Sequence, residues 1–517
     1  MSNGALIIDD SEFRSTVSAR AGSLLDVAMR LGRAGPAEGG SPLGLLTRPL
    51  LAVILSEASQ LEELLDAYGA LGNERWRGFR TVVAAMKLFA RVHYSLVHLT
   101  YAAPSYHLLS VEGDLAQALL AARQFTARVL RRASQRLLEV VAPLGLAPGA
   151  VEICEERLPP GSLPQDCPLR RVDDVAGTVA RLSTAFLNLA DDASALNWET
   201  WSRLRETPAG LPEETELRRL AEDFHNLQAL YDTHVAHTDA ERSDPELLSL
   251  RGHASVVYHL LETATDLTHY YERHVLHVVP ALDSIQLFGT EADCIEPERL
   301  AAILCATLVY AGRYVCAGRA LAQQLLRRYA QEGEITVPVP RYRGFHVRPS
   351  TLVSRVAYHY GSPVSMALEG ETYDAASPLD LFRANELINA KKRRWLAQEI
   401  ARMVEGKDER VGEDLVRTVR EVLMRLAEAA KVILYEQPLP SLDGQFCDGQ
   451  PVLSFVVGAI ARLQALGKID IVAPVTVTFR GDRRVLADLQ LLAANGYGED
   501  AYGNNVSLPP ELKYLRR

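Results

Sequence analysis

The stretch Gly344-Phe345-His346-Val347-Arg348-Pro349-Ser350-Thr351 joins two segments of different periodicity. Before it, apolar residues alternate as in a β-strand; after it, they recur at helical spacing as far as Gly361, which predicts the end of the helix. The sequence therefore places His346 where a helix begins. The alternating residues are Ile335, Val337 and Val339, and the helical ones are Leu352, Val353, Val356, Ala357 and Tyr360.

A histidine in this position is suited to carrying a phosphoryl group. The first turn of a helix has free backbone N–H groups, and its dipole attracts anions and disfavours a positively charged imidazole. Arg348 adds a planar guanidinium group, which binds phosphate oxygens well. We therefore expect a phosphohistidine site at His346 and Arg348, with the helix start at Val347, Pro349 and Ser350 stabilising the phosphate. The alternative interpretation is a histidine that only caps a helix.

The segment resembles the phosphorylation motif of HPr, the small phosphocarrier protein of the bacterial phosphotransferase system. In this resemblance His346 accepts the phosphoryl group, Arg348 contacts the phosphate and Pro349 stands at the helix start. Phe345 replaces a smaller aliphatic residue. The resemblance covers residues 332–390 and, less closely, 470–496, and it implies an open-faced antiparallel β-sandwich without a cofactor.

The residues after the motif follow the family's order of elements. Pro363–Leu368 and Thr372–Ala375 have the pattern of two strands, and Ser377 is an N-cap candidate for the next helix. Ser377 also stands at the spacing of the regulatory serine of HPr proteins. Ala376 and Pro378 depart from the lysine-serine-aliphatic pattern of that serine, so a plain N-cap and a regulatory phosphorylation site both stay open.

The family's fourth strand and last helix are delayed in this chain. Amphipathic helical sequence follows Ser377, and only Val475–Phe479 alternates again, before Gly481-Asp482 and a last helical stretch. We predict the first part of an HPr-like domain at 332–395, a helical insertion at 396–468, and the closing strand and helix with a tail at 469–517. Long additions are tolerated where a surface loop can hold them.

Residues 1–331 are predicted to be all-helical. Apolar residues recur at three- and four-residue spacing, and glycines and prolines separate the segments. A helical bundle is expected, with a candidate division into two subdomains near residues 158–169. The overall fold class is thus mainly α with an α+β C-terminal domain.

Histidines concentrate in the later part of this helical region. Eight of the 13 histidines lie from His225 to His277. The pairs Glu222 with His225 and Asp266 with His269 each stand three residues apart, as in di-iron helical bundles. We favour hydrogen-bonded core or interface histidines and keep these four residues as weak metal candidates.

Charge and hydropathy argue against some classes of protein. The formal net charge of −10, with only the short basic run Lys391–Arg394, argues against nucleic-acid binding. The apolar window Leu300–Gly312 is too short to span a bilayer. The segment Met1–Asp10 lacks the features of a signal peptide, so a cytoplasmic protein is expected.

Three functions fit the sequence. The first is a phosphotransferase-system phosphocarrier, a stoichiometric carrier rather than an enzyme with a small-molecule substrate, whose partners are an enzyme I-like donor and an enzyme IIA-like or regulatory acceptor. The second is a regulatory interaction protein in which the HPr-like domain is a phospho-switch or is degenerate. The third is a metal-dependent helical-bundle enzyme. The oligomeric state and the ligand of the helical region stay open.

Overall fold

The computed structural model describes residues 7–33, 42–153, 163–164, 166–194, 196, 212–273, 297–404, 413–435 and 452–516. The chain divides into two compact units, Met1–Ala322 and Gln323–Arg517. The sequence placed this boundary at residue 331. The difference arises because the last turns of the preceding helix bind the C-terminal unit: Gln323 Nε2 donates to the carbonyl oxygens of Tyr358 and His359 at 3.1 and 3.0 Å.

Helices are the main secondary structure in the described part of the N-terminal unit, which also has one isolated β-bridge between Arg170 and Thr238. Short polar caps begin several of them: Asn73 Oδ1 accepts hydrogen bonds from the N–H groups of Arg75 and Trp76, and Asp114 Oδ1 accepts one from Gln117. The predicted division near residues 158–169 falls partly outside the described residues. The helices are α1 (Asp10–Arg33), α2 (Pro42–Leu45), α3 (Arg48–Ala67), α4 (Glu74–Ala102), α5 (Leu115–Val141), α6 (Val175–Ser194), α7 (Glu214–His234), α8 (Asp239–Ser243), α9 (Glu246–Tyr271) and α10 (Pro297–Arg328).

Helix α10 is longer than the apolar window found in the sequence. Over Glu298–Arg328 it is long and apolar enough to cross a membrane, by length and composition alone. The reason is that helical, mostly apolar sequence continues beyond Arg313. Length and composition are weak evidence for a span, because a core helix of a soluble protein passes the same test, and 61% of the apolar window is buried.

The C-terminal unit contains a four-stranded antiparallel sheet in the order β1-β6-β2-β3. Phe479 on the central strand β6 pairs with Ile335 on β1 and with Met366 on β2. Apolar residues alternate with exposed polar ones along these strands, so one face is covered and the other faces solvent. The strands are β1 (Glu332–Pro338), β2 (Val364–Leu368), β3 (Glu371–Asp374), β4 (Val432–Leu434), β5 (Ile469–Ile471) and β6 (Thr476–Asp482).

Helices follow β1, β3 and β6 along the chain. The helix after β6 packs on β1 and β6, and the helix after β1 contacts both other helices. Val356, Phe479 and Leu489 are fully buried between the layers. The helices of this unit are α11 (Val347–Tyr360), α12 (Pro378–Val404), α13 (Glu413–Glu428), α14 (Val452–Ala465) and α15 (Arg483–Ala494).

The insertion has a core of its own, is not purely helical, and extends to Ile471, past the predicted end at residue 468. The end of α12 with α13 and α14 buries an apolar cluster that includes Ile400, Leu423 and Ile460. The strands β4 and β5 form a second sheet, in which Ile433 pairs with Asp470. The prediction of a helical insertion missed these strands, because three residues are too few to show alternation and their pairing partners are distant in sequence.

Candidate functional site

The loop before α11 turns sharply so that His346 stands at the start of the helix. Arg343 and Gly344 both adopt left-handed backbone angles, with φ of 53° and 64°. A Cβ atom at position 344 would lie 2.1 Å from Asn385 Oδ1, so only glycine fits there. Asn385 on α12 holds the turn: its Oδ1 accepts from Phe345 N–H, and its Nδ2 donates to the Arg343 carbonyl, each at 3.0 Å.

The insertion contributes a second support to this loop. Asp470 on β5 accepts a hydrogen bond from Arg343 N–H at 2.6 Å through Oδ2. Its Oδ1 lies 3.3 Å from Lys392 Nζ on α12, and both side chains are almost fully buried. Removal of either charge would leave the other unpaired in the interior. The loop that presents His346 is therefore held both by Asn385 on α12 and by Asp470 on β5.

Phe345 anchors the loop to the core of the unit. Its ring is fully buried and lies edge-on to Tyr497 and Phe479, with ring centroids 5.5 and 6.5 Å apart. Tyr497 in turn donates a hydrogen bond to the carbonyl of Pro338 at the end of β1. The larger side chain at position 345 thus fills space between the sheet and the chain that follows α15. Burial of Phe345 leaves its neighbour His346 at the surface.

His346 is the N-cap residue of α11. Its carbonyl accepts the first helical hydrogen bond, from Ser350 N–H at 3.1 Å, and its side chain makes no capping hydrogen bond. The N–H groups of Val347 and Arg348 therefore have no intrahelical acceptor, and Pro349 has no N–H. The His346 side chain is 26% exposed. The structure thus has the ring beside the open, positively polarised end of a helix.

Both ring nitrogens of His346 face oxygen atoms. Nδ1 lies 3.2 Å from the carbonyl oxygen of Gly344, and Nε2 lies 3.3 Å from Oε2 of Glu499. The Tyr342 ring and the imidazole pack in a T-shaped arrangement, with centroids 5.3 Å apart. A neutral imidazole has one proton, so it cannot donate to both oxygens at once. In the neutral ring, the nitrogen without a proton therefore points its lone pair at an oxygen atom. Only a doubly protonated ring would donate to both oxygens.

Glu499 is the carboxylate that links His346 and Arg348. It lies in the turn after α15, is 7% exposed, and places Oε1 3.9 Å from Arg348 Nε. Burial raises the pKa of Glu499, although His346 and Arg348 act in the opposite direction. Among the described residues, no donor makes a well-aligned hydrogen bond to Oε2. A negatively charged group thus already lies in the space that a phosphoryl group on Nε2 would need.

Sequence reasoning missed Glu499, Asn385 and Asp470. Asn385 and Asp470 lie on α12 and β5, and Glu499 follows a glycine-rich turn, Gly496–Gly498. None of these features marks a side chain as a neighbour of a histidine far away in the sequence. The packing of α12 on α11, the pairing of β4 with β5 and the turn after α15 bring them to the site.

Ser377 has the geometry of an N-cap. Its Oγ accepts a hydrogen bond from Asp380 N–H at 3.3 Å, and its carbonyl accepts one from Leu381 N–H at 3.2 Å. Its side chain is half-buried. The plain capping interpretation accounts for these contacts, and the regulatory interpretation stays a prediction.

The four weak metal candidates do not come together. Glu222 and His225 are exposed, and the His225 ring packs on Tyr258. Asp266 lies 3.5 Å from Arg91, and His269 pairs with a different residue, Glu214. In the described part of the chain no group of three or more His, Cys, Asp or Glu side chains is placed to hold a metal ion. Three-residue spacing put these pairs on helix faces, but their faces meet arginine and aromatic side chains instead.

The chain was compared with protein family models, curated proteins and solved structures, and none of these matches it. The residues around His346 and their geometry are therefore what bears on function.

Proposed function

We propose that the C-terminal unit is an HPr-like phosphocarrier domain that accepts a phosphoryl group on His346. The observation that carries this proposal is the partly exposed imidazole at the N-cap of α11, beside the open N–H groups of Val347 and Arg348. The N-terminal end of α11 and the guanidinium group of Arg348 would each stabilise the phosphoryl group by about 1–2 kcal/mol.

The arrangement of elements supports the same proposal. Around the site the chain runs strand, helix, strand, strand, helix, insertion, strand and helix. This is the order expected from the HPr resemblance, with the insertion before the fourth strand. A cytoplasmic location and an enzyme I-like donor, with an enzyme IIA-like or regulatory acceptor, belong to this proposal.

The proposed transfer needs a neutral imidazole ring. The lone pair of one ring nitrogen attacks phosphorus in line, a new N–P bond forms, and the donor's N–P bond breaks with its electron pair returning to the donor nitrogen. The other ring nitrogen keeps the proton of the neutral ring. The protein contributes positioning and charge neutralisation, which dominate catalysis of such steps.

Phosphoramidate and a purified enzyme I with labelled phosphoenolpyruvate test the proposal with a chemical and a protein donor. We expect an acid-labile, base-stable phosphate on the wild-type protein and none on His346→Ala. His269→Ala is the matched control, because it removes a half-exposed histidine that also contacts a glutamate. Label retained by His346→Ala would show that the site is assigned to the wrong residue.

A second function, a phospho-switch, is favoured by the contact between His346 and Glu499. Because Glu499 lies between the ring and Arg348, phosphorylation would displace it and change the surface made by the chain after α15. Phosphorylation would then alter the binding of a partner rather than feed transport. This function uses the same histidine and the same arginine.

Partner capture separates the two functions. His346→Asp places a permanent negative charge opposite Glu499, so a switch should bind its partner differently from the wild type. Binding that is insensitive to this substitution, together with competent transfer to a transport component, would support the plain carrier instead.

A further inference from the structure

Helix α5 of the N-terminal unit carries five arginines and one acidic residue. From Leu115 to Leu138 the sequence contains no aspartate or glutamate. The acidic residue, Glu139, pairs with Arg136 at 2.7 Å. The full chain has a formal net charge of −10, so this helix has the opposite sign of charge to the protein as a whole. The other four arginines, which we call the arginine face, are Arg123, Arg128, Arg131 and Arg132.

The arginine face is accessible on an ordered helix. The apolar side of α5 is buried against α1 and α4. Arg128 is exposed and stands three and four residues before Arg131 and Arg132, which are partly exposed, so these three side chains are neighbours on one side of the helix. Arg123, also partly exposed, lies about two turns before Arg131. The face extends for roughly 13 Å along the helix axis.

The four arginines of this face have no partner in the part of the chain that the structure describes: none makes a hydrogen bond or an ion pair there. Helix α7 of the same unit shows the usual arrangement of a solvated helix. Its Arg218 and Arg219 pair with Glu214 and Asp223, each four residues away. In α5 the corresponding spacings hold like charges, which destabilise a helix. An anionic group bound to the face would offset this repulsion.

The chemistry and the size of the face indicate which anion fits it. All basic residues of α5 are arginines, and a guanidinium group binds a carboxylate or a phosphate through two parallel hydrogen bonds. An extended polypeptide spans the face with roughly four residues. Nucleic acids and membranes are larger than the face, so they would also lie against other surfaces of a chain with a net charge of −10. A short acidic segment contacts the arginines alone.

We propose that the arginine face of α5 binds a short acidic segment of a partner protein. Aspartate and glutamate side chains of that segment pair with Arg128, Arg131 and Arg132, and Arg123 binds a further carboxylate at one end. The proposal is independent of the phosphocarrier function, because α5 belongs to the N-terminal unit and His346 to the C-terminal unit.

Fluorescence anisotropy of a labelled hexaglutamate peptide with the full-length protein tests the proposal, and hexaglutamine is the uncharged probe of equal length. We expect hexaglutamate to bind, hexaglutamine not to bind, and added salt to weaken the binding. The triple variant Arg128→Gln/Arg131→Gln/Arg132→Gln should weaken hexaglutamate binding about tenfold or more, a loss of roughly 1.4 kcal/mol. Glutamine has nearly the helix propensity of arginine, so α5 should stay folded, and circular dichroism checks this.

A matched control separates the arginine face from net charge. Arg171→Gln/Arg181→Gln/Arg242→Gln removes three exposed arginines elsewhere in the N-terminal unit and should bind hexaglutamate like the wild type. Absence of hexaglutamate binding, or an equal loss of affinity in the two triple variants, would overturn the proposal.

Two other anionic probes test the choice of an acidic segment. Labelled hexathymidylate and vesicles that contain phosphatidylserine present phosphate groups in place of carboxylates. We expect both to bind more weakly than hexaglutamate. Tighter binding of either probe, lost in the α5 triple variant, would show that the partner is a nucleic acid or a membrane and would overturn the proposal. None of these outcomes bears on the phosphorylation of His346.

Discussion

Two histidine–glutamate pairs, one in each unit, show different chemistry. In the N-terminal unit His269 Nδ1 lies 2.8 Å from Glu214 Oε2. In the C-terminal unit His346 Nε2 lies 3.3 Å from Glu499 Oε2. The Glu214 side chain is 15% exposed and the Glu499 side chain is 7% exposed. The pKa values of the two carboxyl groups nevertheless shift in opposite directions: the pKa of Glu214 is lowered and that of Glu499 is raised.

The cause is the number of hydrogen bonds that each carboxylate accepts. Burial raises the pKa of Glu214, but hydrogen bonds from Arg218 and His269 outweigh it, and the net pKa is lowered. Burial also raises the pKa of Glu499, and there the more distant His346 and Arg348 do not compensate. A well-partnered carboxylate stabilises its surroundings, whereas an under-partnered one is easily displaced. This difference separates the pair at α11 from the pair in the N-terminal unit.

The largest effect should come from a third carboxylate, Asp470, which is both buried and fully partnered. Lys392→Met removes its cationic partner and leaves a buried charge, so we expect a loss of about 3–5 kcal/mol in unfolding free energy. Urea unfolding of the variant measures it. The matched control Lys391→Met removes the neighbouring, exposed pair with Glu369 and should cost less than about 1 kcal/mol. Equal losses would contradict the comparison.

The next effect concerns the rate of phosphorylation. Glu499→Gln removes a negative charge from the place a phosphoryl group would enter, so labelling by phosphoramidate should be about tenfold faster, roughly 1.4 kcal/mol. Initial rates of acid-labile label incorporation measure it. As a control, Glu214→Gln should be labelled by phosphoramidate at the wild-type rate. A slower Glu499→Gln protein would mean that the carboxylate assists transfer rather than opposing it.

The two glutamates should also give opposite pH dependences of stability. The lowered pKa of Glu214 means that its stabilisation is present above about pH 4.5, the ordinary value, and is lost as pH falls through the lowered pKa. The raised pKa of Glu499 means that its stability contribution is present below about pH 4.5 and is lost as pH rises through the raised pKa. The sign of each effect follows from which state, folded or unfolded, holds the proton more tightly.

Unfolding free energies of the two glutamine variants between about pH 3 and pH 7 provide the measurement. Relative to wild type, Glu214→Gln should become less stable toward pH 7, whereas Glu499→Gln should become more stable. Parallel curves for the two variants would remove the distinction between the pairs.

The smallest effect should be at Ser377. Ser377→Ala removes the N-cap hydrogen bond to Asp380 and should lower the unfolding free energy by about 1 kcal/mol. Labelling of His346 by phosphoramidate should be unchanged, and Ser377→Asp, which keeps a capping oxygen, should restore stability. A change in labelling without a change in stability would favour the regulatory interpretation of Ser377.

Local sequence patterns account for much of the fold and for the position of His346. The alternation of Val364, Met366 and Leu368 matches strand β2, and the spacing of Leu352, Val356 and Tyr360 up to Gly361 matches α11. Each of these patterns lies within a single helix or strand, so it can be detected in one sequence without an alignment. The positions of Glu499 and Asp470 depend on contacts between distant segments, which no local pattern encodes. The same limit explains why Glu222 and Asp266 share helical spacing with histidines but no metal site.

The hydrogen bond from Arg343 N–H to Asp470 ties the insertion to the loop that presents His346. A shortened protein that joins α12 directly to β6 would preserve the four-stranded sheet and the helix start, yet it would leave the left-handed turn at Arg343 tethered by Asn385 alone. Removal of this segment would therefore also loosen the contact between His346 and Glu499. The inserted segment therefore contributes directly to the backbone geometry that presents His346.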